Sequence, residues 1–279
     1  MVPNILSIAG SDPSGGAGAQ ADIKSISACG CYALAVITTL TAQNTRGVSS
    51  VHALPAGFVA AQIDAIFADV RVDAVKIGML GAAEIAEVVA DRLRKLRPRF
   101  VVLDPVLASS SGESFSGPEL LQTLREKLLP LATLTTPNLP EATRLVGEPD
   151  CAGDDAEIER LAGRLRALGA RAVLMKGGHR SGAQAIDVLF SDAAPRVYAA
   201  PRVATSNTHG TGCALSSSIA AGLALGLPLE DAVGEAKRYV TGALLGAGRL
   251  SVGGGHGPLD HFWRDYAGDG KAPRALSRD

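Results

Sequence analysis

Aromatic side chains are scarce in this chain. Only 4% of its 279 residues are Phe, Trp or Tyr, too few for a row of rings on which nucleic-acid bases could stack. An excess of positive charge is also lacking: 27 Lys and Arg face 28 Asp and Glu, a formal net charge of −1. Binding a phosphate backbone needs a basic footprint, so the composition argues against nucleic acid as a partner. The four cysteines, Cys29, Cys31, Cys151 and Cys213, lack metal-site spacing. A chain this long does not need disulfide staples, and reduced thiols predict a cytoplasmic protein. No basic stretch precedes the apolar run Ile5–Ala9, and the first lysine is Lys24, which argues against a secretory signal. Val203 to Leu229 contains no Lys, Arg, Asp or Glu, but Asn207–Gly212, Ser216–Ser218 and Pro228 interrupt it. It reads as a buried helix and not as a membrane span.

Hydrophobic residues make up 47% of the chain, enough to bury a sizeable core. Thirty-two glycines, well above the usual ~7%, predict tight strand–helix turns. Short apolar runs fall at 5–9, 34–38, 74–77, 100–103, 134–136, 172–175, 185–190 and 197–199. Between them, 19–28, 56–68, 82–96, 118–128, 139–146 and 156–168 carry apolar residues at three- and four-residue intervals. Two long helices are expected last, around 212–225 and 229–245. Apolar strands alternating with amphipathic helices predict an α/β fold, a mainly parallel sheet covered on both faces. No linker divides it, so residues 1–266 read as one domain and 267–279 as a polar tail.

In such sheets ligands bind beyond the carboxyl ends of the strands, and several motifs stand there. Gly10-Ser11-Asp12-Pro13-Ser14-Gly15-Gly16-Ala17-Gly18 opens a helix containing Asp22. Gly16-x-Gly18-x-x-Ala21 mimics a dinucleotide fingerprint, but Thr38-Thr39-Leu40 offers no ribose-binding acid. The preferred reading is a backbone that closes over a flat small molecule, with Asp22 as a polar contact. His209-Gly210-Thr211-Gly212-Cys213 precedes the uncharged helix, a pattern that aims amides and the helix dipole at an anion. Cys213 in the first turn should have a lowered pKa; its alternative is a small capping cysteine. Lys176, beside Gly177-Gly178-His179, can neutralise a phosphate oxygen. Asn138 and Glu141, three apart at a helix start, suit Mg²⁺, although Glu141 serves equally as an N-terminal helix acid. Asp104, at a strand end, would reach the same metal or a phosphate.

Taken together, these motifs resemble the ribokinase-like vitamin kinases, most closely those acting on hydroxymethylpyrimidine and its phosphate in thiamine biosynthesis. The markers are residues 9–22, Thr41-Ala42-Gln43-Asn44-Thr45-Arg46-Gly47-Val48, Lys76-Ile77-Gly78-Met79-Leu80, Asp104-Pro105-Val106, 136–141, 176–179, 209–213 and Gly255-His256-Gly257-Pro258. The resemblance spans roughly residues 5–262 and implies a three-layer α/β/α kinase using ATP and Mg²⁺. Gln43 would bind the aminopyrimidine, with Gly10, Ala17, Asp22, Met79 and Val106 around it. Asp104, Asn138 and Glu141 would lie by the metal, and Lys176 on the nucleotide phosphates. Gly210, Thr211 and Gly212 would form the anion hole, with Thr211 also touching nucleotide. Cys213 would be the base, with His209 as its competitor. Lys237 would lie near the nucleotide, or else be an exposed helix lysine. Pyridoxal kinase is the alternative of the same fold, and a noncatalytic pyrimidine-binding module is that of another class. The partner implied is a small-molecule pyrimidine, and a homodimer is compatible. Two departures stand out: serine at Ser110 where many members have lysine, and Thr41 where an apolar residue is common.

Overall fold

The computed structural model describes residues 1–108, 117–177 and 182–266. The polar tail, Ser110 with its neighbours, Gly178 and His179 lie outside the described residues. The first half runs β1 (Asn4–Ser11), α1 (Gly18–Ala28), β2 (Tyr32–Asn44), β3 (Gly47–Ala53), α2 (Ala56–Asp69), β4 (Ala74–Ile77), α3 (Ala83–Leu96) and β5 (Val101–Leu103). Then follow α4 (Pro118–Thr123), β6 (Leu134–Thr135), α5 (Leu139–Val146), α6 (Asp155–Ala167), β7 (Val173–Met175), β8 (Gln184–Phe190), β9 (Arg196–Pro201), α7 (Thr211–Ala224) and α8 (Leu229–Gly246). The expected helix 118–128 is α4 continued by a wider π turn over Leu124–Leu128.

Among the described residues the strands form one sheet in the order β3-β2-β1-β4-β5-β6-β7-β8-β9. The pairs from β2 through β7 are parallel, and the outer pairs β2–β3, β7–β8 and β8–β9 are antiparallel. The β2–β3 hairpin departs from expectation, which ended the second strand at Thr38. Its distal half alternates half-buried and exposed residues and β3 is largely exposed, so no apolar run marks it. The Asn44-Thr45-Arg46-Gly47 turn was the available signal.

Side chains alternate across a strand, and that parity positions the site. Leu6, Ile8, Val75, Ile77, Val101, Leu103, Val173 and Met175 pack on the side covered by α2 to α6. Ile5, Ala74, Val102 and Leu174 pack on the other side, against residues of α1, α7 and α8. Continuing that second register two residues along each strand gives Ser7, Lys76, Asp104 and Lys176. The polar residues that continue β1, β4, β5 and β7 therefore lie on the side of the sheet covered by α7. Burial of α7 is nearly complete from Ala214 to Leu223, which explains its lack of charge. No helix among the described residues is long and apolar enough to cross a membrane.

The segment after α8 returns to pack on α1 and α8 through His261, whose Nδ1 lies 3.1 Å from Ser25 Oγ and 3.2 Å from Tyr239 Oη. Its Nε2 is buried with no hydrogen-bond partner among the described residues. Burial, with the positive charge of Lys24 adding to it, pulls the imidazole down to about 4. The folded protein keeps His261 neutral while the unfolded chain, titrating near 6.5, takes up a proton. The resulting stabilisation is present above pH 6.5 and disappears as pH falls towards 4, a difference of about 3 kcal/mol. Urea unfolding at pH 7 and pH 4.5 should show this loss, and His261→Gln should flatten it. An unchanged pH slope in the variant would exclude His261 as the titrating group.

Candidate active site

The site is built around the N-terminus of α7. Gly210 caps this helix at φ +82°. A Cβ there would lie 1.9 Å from the carbonyl oxygen of Gly16, so only glycine lets the two loops approach. Two residues on, a Cβ at Gly212 would stand 3.2 Å from Lys176 Nζ and 3.4 Å from Asp104 Oδ2. No acid occupies the first turn. Backbone amides, helix dipole and Lys176 thus converge on one spot, the chemistry of a phosphate site.

Lys176 lies between two carboxylates: Nζ donates to Asp104 Oδ1 at 2.7 Å and stands 3.6 Å from Glu141 Oε2. Its backbone N–H donates to the Pro137 carbonyl at 2.9 Å, which fastens the end of β7 to the start of α5. Burial would strip the lysine of its proton, but Asp104 and Glu141 outweigh it and raise its pKa. Asp104 titrates below the ordinary range; burial opposes this, but the charges of Lys176 and Lys76 prevail. Burial pushes Glu141 the other way, upwards, against the pull of Lys176.

Asn138 is the N-cap of α5 and forms a reciprocal capping box with Glu141, its Oδ1 accepting from the Glu141 N–H at 2.9 Å and its own N–H donating to Glu141 Oε2 at 2.8 Å. The helix-acid reading of Glu141 is therefore realised, and Asn138 acts first as a cap. Asp104 Oδ1 also accepts from Thr136 at 2.9 Å, whereas Oδ2 has only a long 3.4 Å contact with Ser216 Oγ. Asp104 Oδ2 and Glu141 Oε1 are the oxygens least engaged. No cluster of three or more His, Cys, Asp or Glu suited to a metal occurs among the described residues. Two carboxylates without a cage fit Mg²⁺, which keeps its waters and relies on substrate phosphates.

Two expectations are corrected beneath α7. Asp22 is fully buried and both its oxygens are engaged: Lys76 Nζ donates to each at 2.8 Å, Ser7 Oγ to Oδ2 at 2.6 Å and Ser217 Oγ to Oδ1 at 2.8 Å. Its carboxylate neutralises a buried lysine instead of facing a ligand. The signal was Lys76 itself, a cation inside the apolar strand Ala74–Ile77, which burial demands be paired. Cys213 is the second correction. Burial pushes its thiol up to about 11, with Asp22 and Asp104 adding to this and Lys76 opposing it. The helix N-terminus alone does not make it a thiolate.

The pocket end is held by a network linking both glycine loops. Asp12, which the sequence did not single out, is buried and lies 2.8 Å from His209 Nε2 through Oδ2. It also accepts from the N–H groups of Ser14 and Ala17 at 2.8 Å. Burial opposes its ionisation, yet the bonds from His209 and Ser14 hold it down at about 2. The Gln43 carboxamide stands 3.2 Å from His209 Nε2 at one end and 3.2 Å from Thr41 Oγ1 at the other. A Cβ on Gly10 would lie 3.3 Å from Met79 Sδ, so these two expected pocket residues meet. Val106 is half-buried, its N–H bonded to the Asp104 carbonyl at 2.8 Å. Pro13, Gln43, Asn44, Arg46 and Val48 help line an open cleft of about 540 Å³. Lys237 is neither exposed nor free: Nζ donates to Asp187 Oδ2 at 2.7 Å. The other Asp187 oxygen accepts from the Gly177 N–H at 2.9 Å, so the pair braces the residue after Lys176.

A doubly covered parallel sheet whose strand ends bring a lysine and two carboxylates to an acid-free helix N-terminus defines the class: an α/β protein built for phosphoryl groups. Within that class, the chain belongs to the phosphomethylpyrimidine kinase family, whose sequence profile matches residues 12–260. It is 50% identical over 268 residues to the hydroxymethylpyrimidine/phosphomethylpyrimidine kinase of Rhizobium meliloti, covering 95% of this chain and 100% of that one. It is 48% identical over 261 residues, 93% of this chain, to the thiamine biosynthesis bifunctional protein ThiED of Geobacter sulfurreducens, of whose length it spans 52%. Among solved structures, the pyridoxal kinase of Bacillus subtilis in an ADP complex superposes with a TM-score of 0.85 at 33% identity, covering 94% of this chain and 98% of that one. The three-layer ribokinase-like fold expected from the sequence is thus the fold observed.

Proposed function

We propose that this protein transfers the γ-phosphoryl group of ATP to the hydroxymethyl group of 4-amino-5-hydroxymethyl-2-methylpyrimidine, and in a second round to the phosphate of that product, in thiamine biosynthesis. The observation that carries the reading is Lys176 at 2.7 Å from Asp104, beside Gly212 at the start of α7, with the Gln43–His209–Asp12 network at the adjoining loop. A noncatalytic binder needs Gln43 but not this phosphate machinery.

Phosphoryl transfer depends on positioning and electrostatics more than on covalent chemistry from the protein. Lys176 would hold the nucleotide phosphates, with Asp187 and Lys237 bracing Gly177 beside it. The amides at Gly210–Cys213 would face the charge that develops on the transferred group. Asp104 and Glu141 would hold Mg²⁺, which supplies charge neutralisation between the phosphates when bound. Cys213 would take the proton of the substrate alcohol. Such chemistry belongs where ATP and reduced thiols occur, the cytoplasm.

ADP release with and without the hydroxymethylpyrimidine tests the reading, and no substrate-dependent ADP would refute it. The likeness to a pyridoxal kinase favours one second reading, pyridoxal as substrate, which a competition assay between pyridoxal and the pyrimidine decides. Gln43→Leu should weaken pyrimidine binding about 30-fold, since leaving a buried polar partner unpaired costs about 2 kcal/mol. ATP affinity should stay unchanged. Equal loss for both substrates would make Gln43 structural.

A further inference from the structure

Donors and acceptors around Gln43 fix more than its presence. Asp12, titrating at about 2, is an ionised carboxylate that can only accept. His209 Nε2, 2.8 Å from Asp12 Oδ2, must therefore carry a proton and donate it there. A protonated ring nitrogen has no lone pair left, so it cannot accept from an amide N–H. The end of Gln43 that stands 3.2 Å away must accordingly be the oxygen, which shares the single Nε2 hydrogen with Asp12 as the weaker branch of a three-centre bond. Thr41 repeats the argument at the other end. Its Oγ1 donates to the Ser11 carbonyl at 2.9 Å, and a hydroxyl has one proton. Only lone pairs remain for Gln43 at 3.2 Å, so that end must be the NH₂. An amide nitrogen facing His209 and an oxygen facing Thr41 would conflict at both ends, and exchanging the two removes both conflicts. The ends of a carboxamide have the same shape, and their partners assign them.

We propose that Asp12 and His209 are positioning residues that, with Thr41, hold the Gln43 carboxamide with its oxygen towards His209 and its nitrogen towards Thr41, and thereby dictate which way round the pyrimidine binds. This rests on the kinase reading above. The amide oxygen keeps one lone pair and the amide nitrogen one hydrogen for a ligand. An aminopyrimidine then places its 4-amino group against the oxygen, on the His209 side, and ring N3 against the nitrogen, on the Thr41 side. The hydroxymethyl group, on C5 next to C4, follows beyond the amino group. It therefore points along the chain from His209 to Gly210, into the start of α7 where Lys176 stands. A reversed amide would turn the hydroxymethyl group towards Thr41 and away from the phosphate site. Thr41, at a position where an apolar residue is common in the family it resembles, acquires a role as the lone-pair end of the lock.

Two measurements test the lock. The first compares kcat/KM for the 4-amino substrate and its 4-oxo analogue, whose N3–H and O4 present the reversed edge. Wild type should prefer the amino edge at least about 10²-fold. Asp12→Asn, which frees His209 Nε2 to accept and Gln43 to turn over, should cut that ratio at least tenfold while KM for ATP stays within about twofold. An equal fall for both pyrimidines, with the ratio intact, would overturn the proposal. The second needs no variant: ¹⁵N NMR of the wild-type protein should find His209 Nε2 protonated at pH 7, and a bare Nε2 would overturn the lock. If wild type phosphorylates neither pyrimidine, the kinase reading fails instead, and the NMR result still decides the orientation of Gln43.

Discussion

Replacing Lys176 with Met is expected to lower kcat about 10²- to 10³-fold, the usual loss when one preorganised group facing a developing charge is removed. The size follows from its placement. Lys176 Nζ would stand 3.2 Å from a Cβ added at Gly212, where the α7 amides open, and Met fills similar space without charge. A second effect must accompany the first. Lys176 separates Asp104 from Glu141, and removing one partner of a buried ionic cluster costs about 3–5 kcal/mol. Burial already pushes the Glu141 carboxyl up, and Asp104 adds to this. Without the lysine, the Glu141 carboxyl is pushed up further, and taking up a proton as the pH falls should recover part of that loss. The variant should therefore melt lower than wild type at pH 8 and less so at pH 6, with turnover low at both. Near-normal kcat in folded Lys176→Met would remove this lysine from the chemistry.

Where the sequence was legible, one kind of residue formed the element. The parallel strands, apart from the far half of β2, were legible because buried strands are mainly apolar runs, and α7 because an uncharged segment with loop residues at its head has few other fates. Single motifs also placed Lys176, Asp104 and Gly212 at strand ends and a helix start, where they do meet. What stayed hidden were pairings across the chain. Asp12 and His209 are 197 positions apart, and no local pattern ties them. Asp187 and Lys237 pair across 50 positions, so Lys237 could be read only as nucleotide-binding or exposed. Asp22 was misplaced for a related reason. Its position in a glycine-rich motif suggested a ligand contact, but strand parity aims Lys76 beneath it, and that charge claims the carboxylate.

Cys213→Ala is expected to reduce kcat about 10²-fold, with near-normal binding of ATP and pyrimidine. The substrate hydroxyl must lose a proton as its oxygen attacks phosphorus, and no Asp or Glu lies in residues 210–213. A side-chain base typically contributes 10²–10⁴-fold. In a loose phosphoryl-transfer transition state the proton leaves late, which favours the lower end. Burial pushes the thiol up to about 11, while Lys76 and a bond from the Gly18 N–H work against it. The free protein therefore carries a neutral thiol at pH 7, and kcat/KM should rise with pH through the alkaline range as thiolate forms. Cys213→Asp substitutes a group ionised throughout that range, so it should retain partial activity and lose the alkaline rise. His209 is the competing base, but its Nε2 is engaged by Asp12 at 2.8 Å. His209→Ala should accordingly alter pyrimidine selection more than the pH profile. Full turnover in Cys213→Ala, with an unchanged alkaline limb, would leave Cys213 as a packing residue at the head of α7.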